Sequence, residues 1–417
     1  MGKYVITGGS KLKGTVRING AKNASLPILA ASVLNNSTSE IKGVPKLKDV
    51  EVMLNILKLI GAEVKQEDTA FVIDSSKIDT CEVPEHLMRK MRSSIFLMGP
   101  LLGRFGYVKV SYPGGCEIGP RPIDLHIKGL KILGAEIEEK YGFIEAKAKK
   151  LVGNEIHLDF PSVGATENLM MAAVLADGLT SIRNAAKEPE IVDLQNFINA
   201  MGGKIKGAGT DTIRIIGVKE LHPVSHSVIP DRIVAGTFLV AAAITGGNIY
   251  VENVILEHIE PTLAKLKEAG QLIKTFGDVV EIKGVLPPKS IDTLRTLPHP
   301  GFPTDMQAPM MSLMSIADGT TIITETVFEN RFKHADELRR MGANIKVNGR
   351  IAVIRGVKSL SGAMVEAKDL RAGAALILAG LSAEGVTIVE GAQHVERGYE
   401  NIDEKLRNLG ADIRKVD

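Results

Sequence analysis

Leu59-Ile60-Gly61-Ala62-Glu63-Val64 decides the fold, because the chain uses the same phrase six times. A helix end runs into glycine, and glycine into a strand. The other copies are Leu133-Gly134-Ala135-Glu136-Ile137, Met201-Gly202-Gly203-Lys204-Ile205, Ala269-Gly270-Gln271-Leu272-Ile273, Met341-Gly342-Ala343-Asn344-Ile345 and Leu409-Gly410-Ala411-Asp412-Ile413. Their glycines lie 73, 68, 68, 72 and 68 residues apart. Glycine belongs there because it adopts the left-handed conformation that ends a helix and redirects the chain.

A second signature keeps the same period. A helix of small and apolar residues precedes a short β-branched strand, as in 170–176 before 180–182, 238–244 before 248–251, 311–316 before 320–323 and 376–381 before 386–389. Helices apolar on most faces are buried ones. Each unit of ~70 residues therefore holds a buried helix, a strand, an outer amphipathic helix and a strand or hairpin, a βαβαββ-like repeat. Six such units in a chain too long for one core predict an α/β protein of two prism domains, three repeats each. The last repeat stops one strand after Gly410 with no return strand. The N-terminal strands, 4–7 and 15–18, are free to complete it. The predicted domains are then 21–229, and 1–20 with 230–417. A double crossing of this kind makes a hinge, and the cleft beside it is the expected ligand site.

Composition narrows the function. Hydrophobic residues at 44% and charged residues at 24% describe an ordinary globular chain. A net charge of +2 with no tryptophan argues against a nucleic-acid partner or an anionic membrane surface. Cys81 and Cys116 are too few for a disulfide framework, the start lacks a signal peptide's apolar core, and no run of ~18 apolar residues occurs. The expected location is the cytoplasm. Nine histidines in no ligand spacing predict no metal, and the absence of phosphate-loop and dinucleotide motifs predicts no such cofactor.

Four constellations could carry chemistry. Tyr112-Pro113-Gly114-Gly115-Cys116-Glu117-Ile118-Gly119-Pro120-Arg121-Pro122 puts a thiol on a loop, with an arginine five residues on and a helix start beyond. Such surroundings favour a thiolate. A surface loop with an incidental cysteine fits the spacing equally well. Asn19-Gly20-Ala21-Lys22-Asn23 opens a helix where an anion could bind, but local sequence favours a cap with an exposed lysine. In Pro300-Gly301-Phe302-Pro303-Thr304-Asp305, the aspartate could accept a hydroxyl proton or merely cap the next helix. Arg331, Arg371 and Arg397 occupy matching stages of their repeats and should converge on one doubly anionic substrate. Arg92, on a helix from Glu85, is a weaker candidate of the same kind.

At these residues the chain resembles the enolpyruvyl transferases. The resemblance runs essentially the whole length through 20–27, 113–126, Ser162-Val163-Gly164-Ala165-Thr166, 301–307, 325–331 and Arg397-Gly398-Tyr399-Glu400. It implies an inside-out α/β barrel in two similar domains, in agreement with the repeat count. It implies transfer of the enolpyruvyl group of phosphoenolpyruvate to the 3′-hydroxyl of UDP-N-acetylglucosamine, with release of phosphate, the first committed step of peptidoglycan synthesis. A monomer needing no cofactor is expected. By this resemblance Cys116, Asp305, Lys22 and Arg397 are catalytic, and Lys22, Asn23, Arg121, Arg331, Arg371 and Arg397 bind phosphoenolpyruvate. The nucleotide sugar falls to Arg92, Arg121, Pro122, Ile123, Asp124, Leu125, Pro161, Ser162, Val163, Gly164, Asp305 and Val327. Phe160, Glu117 and Pro120 depart from the family's usual residues. An acceptor of shikimate 3-phosphate is the rival reading, though those enzymes lack a cysteine-bearing loop. A non-catalytic binder of UDP-sugars is the rival of another class.

Overall fold

The computed structural model describes residues 2–67, 70–112, 114 and 123–416. Cys116, Arg121 and Pro122 lie outside these residues.

All six repeat glycines adopt the left-handed conformation, with φ of 105° at Gly61, 96° at Gly134, 100° at Gly202, 81° at Gly270, 92° at Gly342 and 96° at Gly410. Each closes an outer helix in the same way. The glycine N–H donates three residues back, and the following N–H donates five residues back, as from Ala62 to Leu57 at 2.9 Å and from Ala411 to Leu406 at 3.0 Å. This doubled bond satisfies carbonyls that a helix end leaves without partners. The helices so closed are Lys48–Leu59, Asp124–Ile132, Pro189–Ala200, Leu256–Glu268, His334–Arg340 and Ile402–Asn408.

The third repeat shows the plan. Strand Glu155–His157 pairs parallel with Leu179–Arg183, and the buried helix Val163–Ala173 connects them. Helix Pro189–Ala200 follows, and strands Lys204–Lys206 and Thr212–Ile216 add an antiparallel hairpin. The sheet alternates along its strands, with Thr180 and Ile182 buried and Leu179 and Arg183 exposed. One face lies on the core and the other is solvated, as expected for largely antiparallel sheets.

The described chain forms two compact units. The first lies within residues 20–229. Its core surrounds the buried helices Lys22–Ala31, Met98–Phe105 and Val163–Ala173. Its first sheet is completed by strand Val224–Ser227, which comes from the end of the unit and pairs parallel with Thr38–Lys42. In its second sheet, Glu82 opposite Lys109 forms a single parallel bridge where the other repeats have a full strand.

The other unit comprises residues 2–19 and 230–416. Helices Arg232–Thr245, Gln307–Met314 and Leu370–Ser382 pack against one another in its core. Strand Lys3–Thr7 completes the sixth sheet, pairing antiparallel with both Val386–Glu390 and Asp412–Val416. The second N-terminal strand does not join it. Lys13–Arg17 pairs parallel with Asn248–Glu252, as the opening strand of the fourth repeat. It lies where that repeat needs a strand before its buried helix. No described helix is long and apolar enough to cross a membrane.

Candidate active site

The site builds outward from Asp305. Pro303 leads into a single 3-10 turn, Thr304–Met306, and helix Gln307–Met314 starts directly after it. Neither Thr304 nor Asp305 caps that helix with its side chain. Thr304 Oγ1 donates to Glu325 at 2.9 Å instead. Asp305 accepts from two arginines: Arg331 Nη2 reaches Oδ1 at 2.8 Å, and Arg371 reaches Oδ2 through Nε at 3.1 Å and Nη2 at 2.8 Å. Two of the three matched arginines thus meet at one carboxylate.

Both guanidiniums are buried, Arg331 at 4% and Arg371 at 2% exposure. Burial alone would push Arg371 toward losing its proton. Asp305, then Tyr399 and Asp231, outweigh that and raise it overall. Its guanidinium lies 5.2 Å from the Tyr399 ring centroid, and the Tyr399 hydroxyl is 3.0 Å from Thr237 Oγ1. Arg371 Nη1 is buried without a hydrogen-bond partner among the described residues. Two arginines against one carboxylate, with a donor to spare, suit a further anion.

Asp369 fixes Arg371 from the backbone. It caps helix Leu370–Ser382, accepting from the N–H groups of Arg371 and Ala372 at 2.8 and 2.9 Å. Arg397 follows the short helix Ala392–Val395 and is half-buried. A Cβ on its neighbour Gly398 would meet Leu370 Cδ1 at 2.6 Å and lie in ordinary contact, 3.8 Å, with Arg371 Nη1. Val327 is half-buried, and its N–H donates to Glu325 at 2.8 Å. Glu325, Tyr399 and Asp369 were given no site role from sequence, although Glu325 and Tyr399 stand in stretches that carry the resemblance. The signal for Glu325 was available: a carboxylate directly continuing the β-branched run Thr320–Thr324.

In the other unit, Lys22 begins helix Lys22–Ala31 and is only 8% exposed, so the reading as an exposed lysine fails. Its Nζ lies 3.5 Å from Asp49 Oδ2. Asn23 beside it is half-buried. Arg92 is not on the helix from Glu85, which ends at Met88. Met91 is extended, and Arg92 opens a separate 3-10 segment, Arg92–Leu97.

Ser162 caps helix Val163–Ala173, its hydroxyl accepting from the Ala165 N–H at 3.3 Å. Pro161, Val163 and Gly164 are half-buried beside it. A Cβ on Gly164 would come within 3.4 Å of the His126 and Phe96 rings. His126 Nδ1 is in turn 2.9 Å from Asn168 Nδ2. Ile123 and Asp124 line a groove of about 770 Å³ shared with Tyr112, Ile127, Lys128, Lys131, Ile132 and Glu139. Leu125 and the residues from Pro161 to Gly164 do not line it.

The family model for EPSP synthase (3-phosphoshikimate 1-carboxyvinyltransferase) matches residues 6–406. The chain is 58% identical over 416 residues to UDP-N-acetylglucosamine 1-carboxyvinyltransferase 2 of Caldanaerobacter subterraneus subsp. tengcongensis, covering 100% of both chains. It is 56% identical to UDP-N-acetylglucosamine 1-carboxyvinyltransferase 1 of Carboxydothermus hydrogenoformans, covering 100% of this chain and 99% of that one. Among solved structures, the enolpyruvyl transferase NikO from Streptomyces tendae superposes with a TM-score of 0.91 at 25% identity, over 100% of this chain and 99% of that one. An EPSP synthase from Acinetobacter baumannii gives 0.78 at 20% identity over the full length of both, a likeness of fold.

Proposed function

Because this chain belongs to the enolpyruvyl transferase family that the EPSP synthase model describes, we propose that it transfers the enolpyruvyl group of phosphoenolpyruvate to the 3′-hydroxyl of UDP-N-acetylglucosamine and releases phosphate. The donor half of this reading is carried by one observation: two buried guanidiniums, Arg331 and Arg371, converge on a single carboxylate. The acceptor half is supported by the names of relatives more than half identical along the whole chain.

The chemistry follows from the residue types. Protonation of the methylene carbon of phosphoenolpyruvate makes C2 cationic, and the Cys116 thiol is the acid in this scheme. The resulting thiolate can also bond to C2 and hold a covalent adduct, the bond breaking again before transfer. Asp305 accepts the proton of the 3′-hydroxyl as that oxygen bonds to C2. Loss of a methyl proton and cleavage of the C2–O bond to phosphate then restore the vinyl group. Arg331 and Arg371 hold the donor's carboxylate, while Lys22, Asn23, Arg121 and Arg397 carry the phosphate. The nucleotide sugar lies against Arg92, the segment from Arg121 to Leu125, the segment from Pro161 to Gly164, and Val327. We place this reaction in the cytoplasm, as the first committed step of peptidoglycan synthesis and hence of cell-wall growth and division, with a monomer doing the work.

The test is phosphate release from phosphoenolpyruvate with each acceptor. Release with UDP-N-acetylglucosamine and none with shikimate 3-phosphate is expected. The reverse would assign the chain to shikimate 3-phosphate. Release with neither, beside tight nucleotide-sugar binding, would make it a non-catalytic binder. Fosfomycin should add its mass to the wild-type chain and not to Cys116→Ala. An adduct of full stoichiometry on that variant would remove Cys116 from its role.

A further inference from the structure

We infer that Glu325 is a positioning residue for this reaction, clamping the turn that carries Asp305 to the loop that carries Val327 and Arg331. The inference rests on the reading of Asp305 as the base.

Glu325 is fully buried at 0% exposure. It stands at the end of strand Thr320–Thr324, and each of its oxygens faces a different part of the site. Oε1 accepts from Thr296 Oγ1 at 2.9 Å, from the Val327 N–H at 2.8 Å and from the Phe328 N–H at 3.1 Å. Oε2 accepts from Thr304 Oγ1 at 2.9 Å, and Thr304 immediately precedes Asp305. Every one of these donors is neutral, and among the described residues no arginine pairs with the carboxylate. It ties its own segment to Thr304, 21 residues back, and to Thr296, 29 residues back.

Each segment carries something the reaction needs. Thr304 sets where the Asp305 turn begins. The two N–H groups on Oε1 fix the backbone at Val327 and Phe328, and the Phe328 ring lies 5.3 Å from the Arg331 guanidinium. A second tie runs alongside: the Thr326 N–H donates to Thr296 Oγ1 at 3.0 Å. A carboxylate suits the place because one group takes four donors, and charge-assisted bonds are shorter and stronger than neutral ones. The gain for catalysis is alignment, since a shift of about 1 Å at a reacting group costs about 100-fold in rate.

Three variants separate positioning from mere support, read by phosphate release with UDP-N-acetylglucosamine and phosphoenolpyruvate and by thermal melting. In Glu325→Gln the side-chain carbonyl can keep the three donors on Oε1, and the Thr304 hydroxyl can rotate to accept from the amide. This variant should keep kcat within about fivefold of wild type. Glu325→Ala should lower kcat by about 100-fold. Thr304→Val cuts only the bond to the Asp305 turn. It should lower kcat by about tenfold while leaving KM for phosphoenolpyruvate within about twofold, and its melting temperature should stay near wild type. If Glu325→Ala fails to fold, Thr304→Val decides alone. A Thr304→Val enzyme that turns over like wild type would overturn the inference, as would a folded Glu325→Gln as impaired as Glu325→Ala. A wild-type chain releasing no phosphate would instead overturn the reading of the site, and this inference with it.

Discussion

Arg371 grips Asp305 on one oxygen with two donors, Nε and Nη2 both reaching Oδ2, while Arg331 holds the other oxygen. The aspartate thereby occupies the same guanidiniums to which the proposed mechanism gives the carboxylate of phosphoenolpyruvate. In that proposed mechanism, substrate entry and release of Asp305 are one event. The incoming carboxylate takes over the arginines, and the freed aspartate can turn to the acceptor hydroxyl.

Asp305→Ala should therefore separate binding from catalysis. Loss of the base is expected to lower kcat by about 100- to 10,000-fold. Phosphoenolpyruvate should bind at least as tightly as to wild type, because its competitor is gone. Without ligand the variant leaves two buried guanidiniums without their shared acceptor, at a cost of about 1–3 kcal/mol. Phosphoenolpyruvate should then raise its melting temperature more than it raises that of wild type. Calorimetric titration beside a melting series checks both, and a tenfold weaker Kd in the variant would contradict the competition.

Arg371→Lys tests the double grip. A lysine offers one point charge where Arg371 presents a planar fork with two donors on one oxygen. KM for phosphoenolpyruvate should rise about 10- to 100-fold, or roughly 1.4 to 2.8 kcal/mol. KM for the nucleotide sugar should move far less. Steady-state kinetics with each substrate varied in turn measures the difference, and equal rises in both would point to general disruption.

The contrast between what could and could not be read in the chain follows from range. The helix-ending glycines were legible because the left-handed conformation is a local demand, and glycine meets it wherever it falls. Arg331 and Arg371 were legible because residue type and repeat position agree, and Asp305 because it sits on an irregular Pro-Gly turn. The clamp made by Glu325 was not, although the residue stands within the 325–331 stretch, because its partner Thr296 is 29 residues away. Tyr399 depends on Thr237, 162 residues distant. The two N-terminal strands are equally short, five residues each, and pattern alone could not assign one to the sixth sheet and the other to the fourth repeat. Open strand edges, a tertiary property, made that choice.

His334 gives the fold an acid-side limit. It opens helix His334–Arg340 at 2% exposure, and Nε2 has no hydrogen-bond partner among the described residues. Burial pushes it down to about 4, with Arg331 adding to the push and Asp369 opposing it. The unfolded chain takes up this proton below about 6.5, and the folded one only near its lower value. The stability His334 contributes is thus present above about pH 6.5 and lost as pH falls toward 4, at up to about 1.4 kcal/mol per pH unit. Melting temperatures across that window should decline less steeply in His334→Gln than in wild type. Parallel curves would show that other groups set the acid limit.

Glu167 acts in the opposite direction. It lies on the buried helix Val163–Ala173 at 1% exposure, and neither carboxyl oxygen has a hydrogen-bond partner among the described residues. Burial, and then the charges of Glu190 and Glu188, raise it well above the ordinary carboxylate range. The unfolded chain releases this proton near pH 4.3, while the folded chain keeps it to higher pH. Stability is therefore greatest below about pH 4.3 as far as this group is concerned, and falls as pH rises toward the folded value. Glu167→Gln keeps the shape and removes the ionisation. Urea unfolding should find it more stable than wild type at pH 8, with the gap closing as pH falls toward 4. A gap that stays constant with pH would mean that Glu167 is already ionised in the folded chain, and that the helix tolerates a buried charge there.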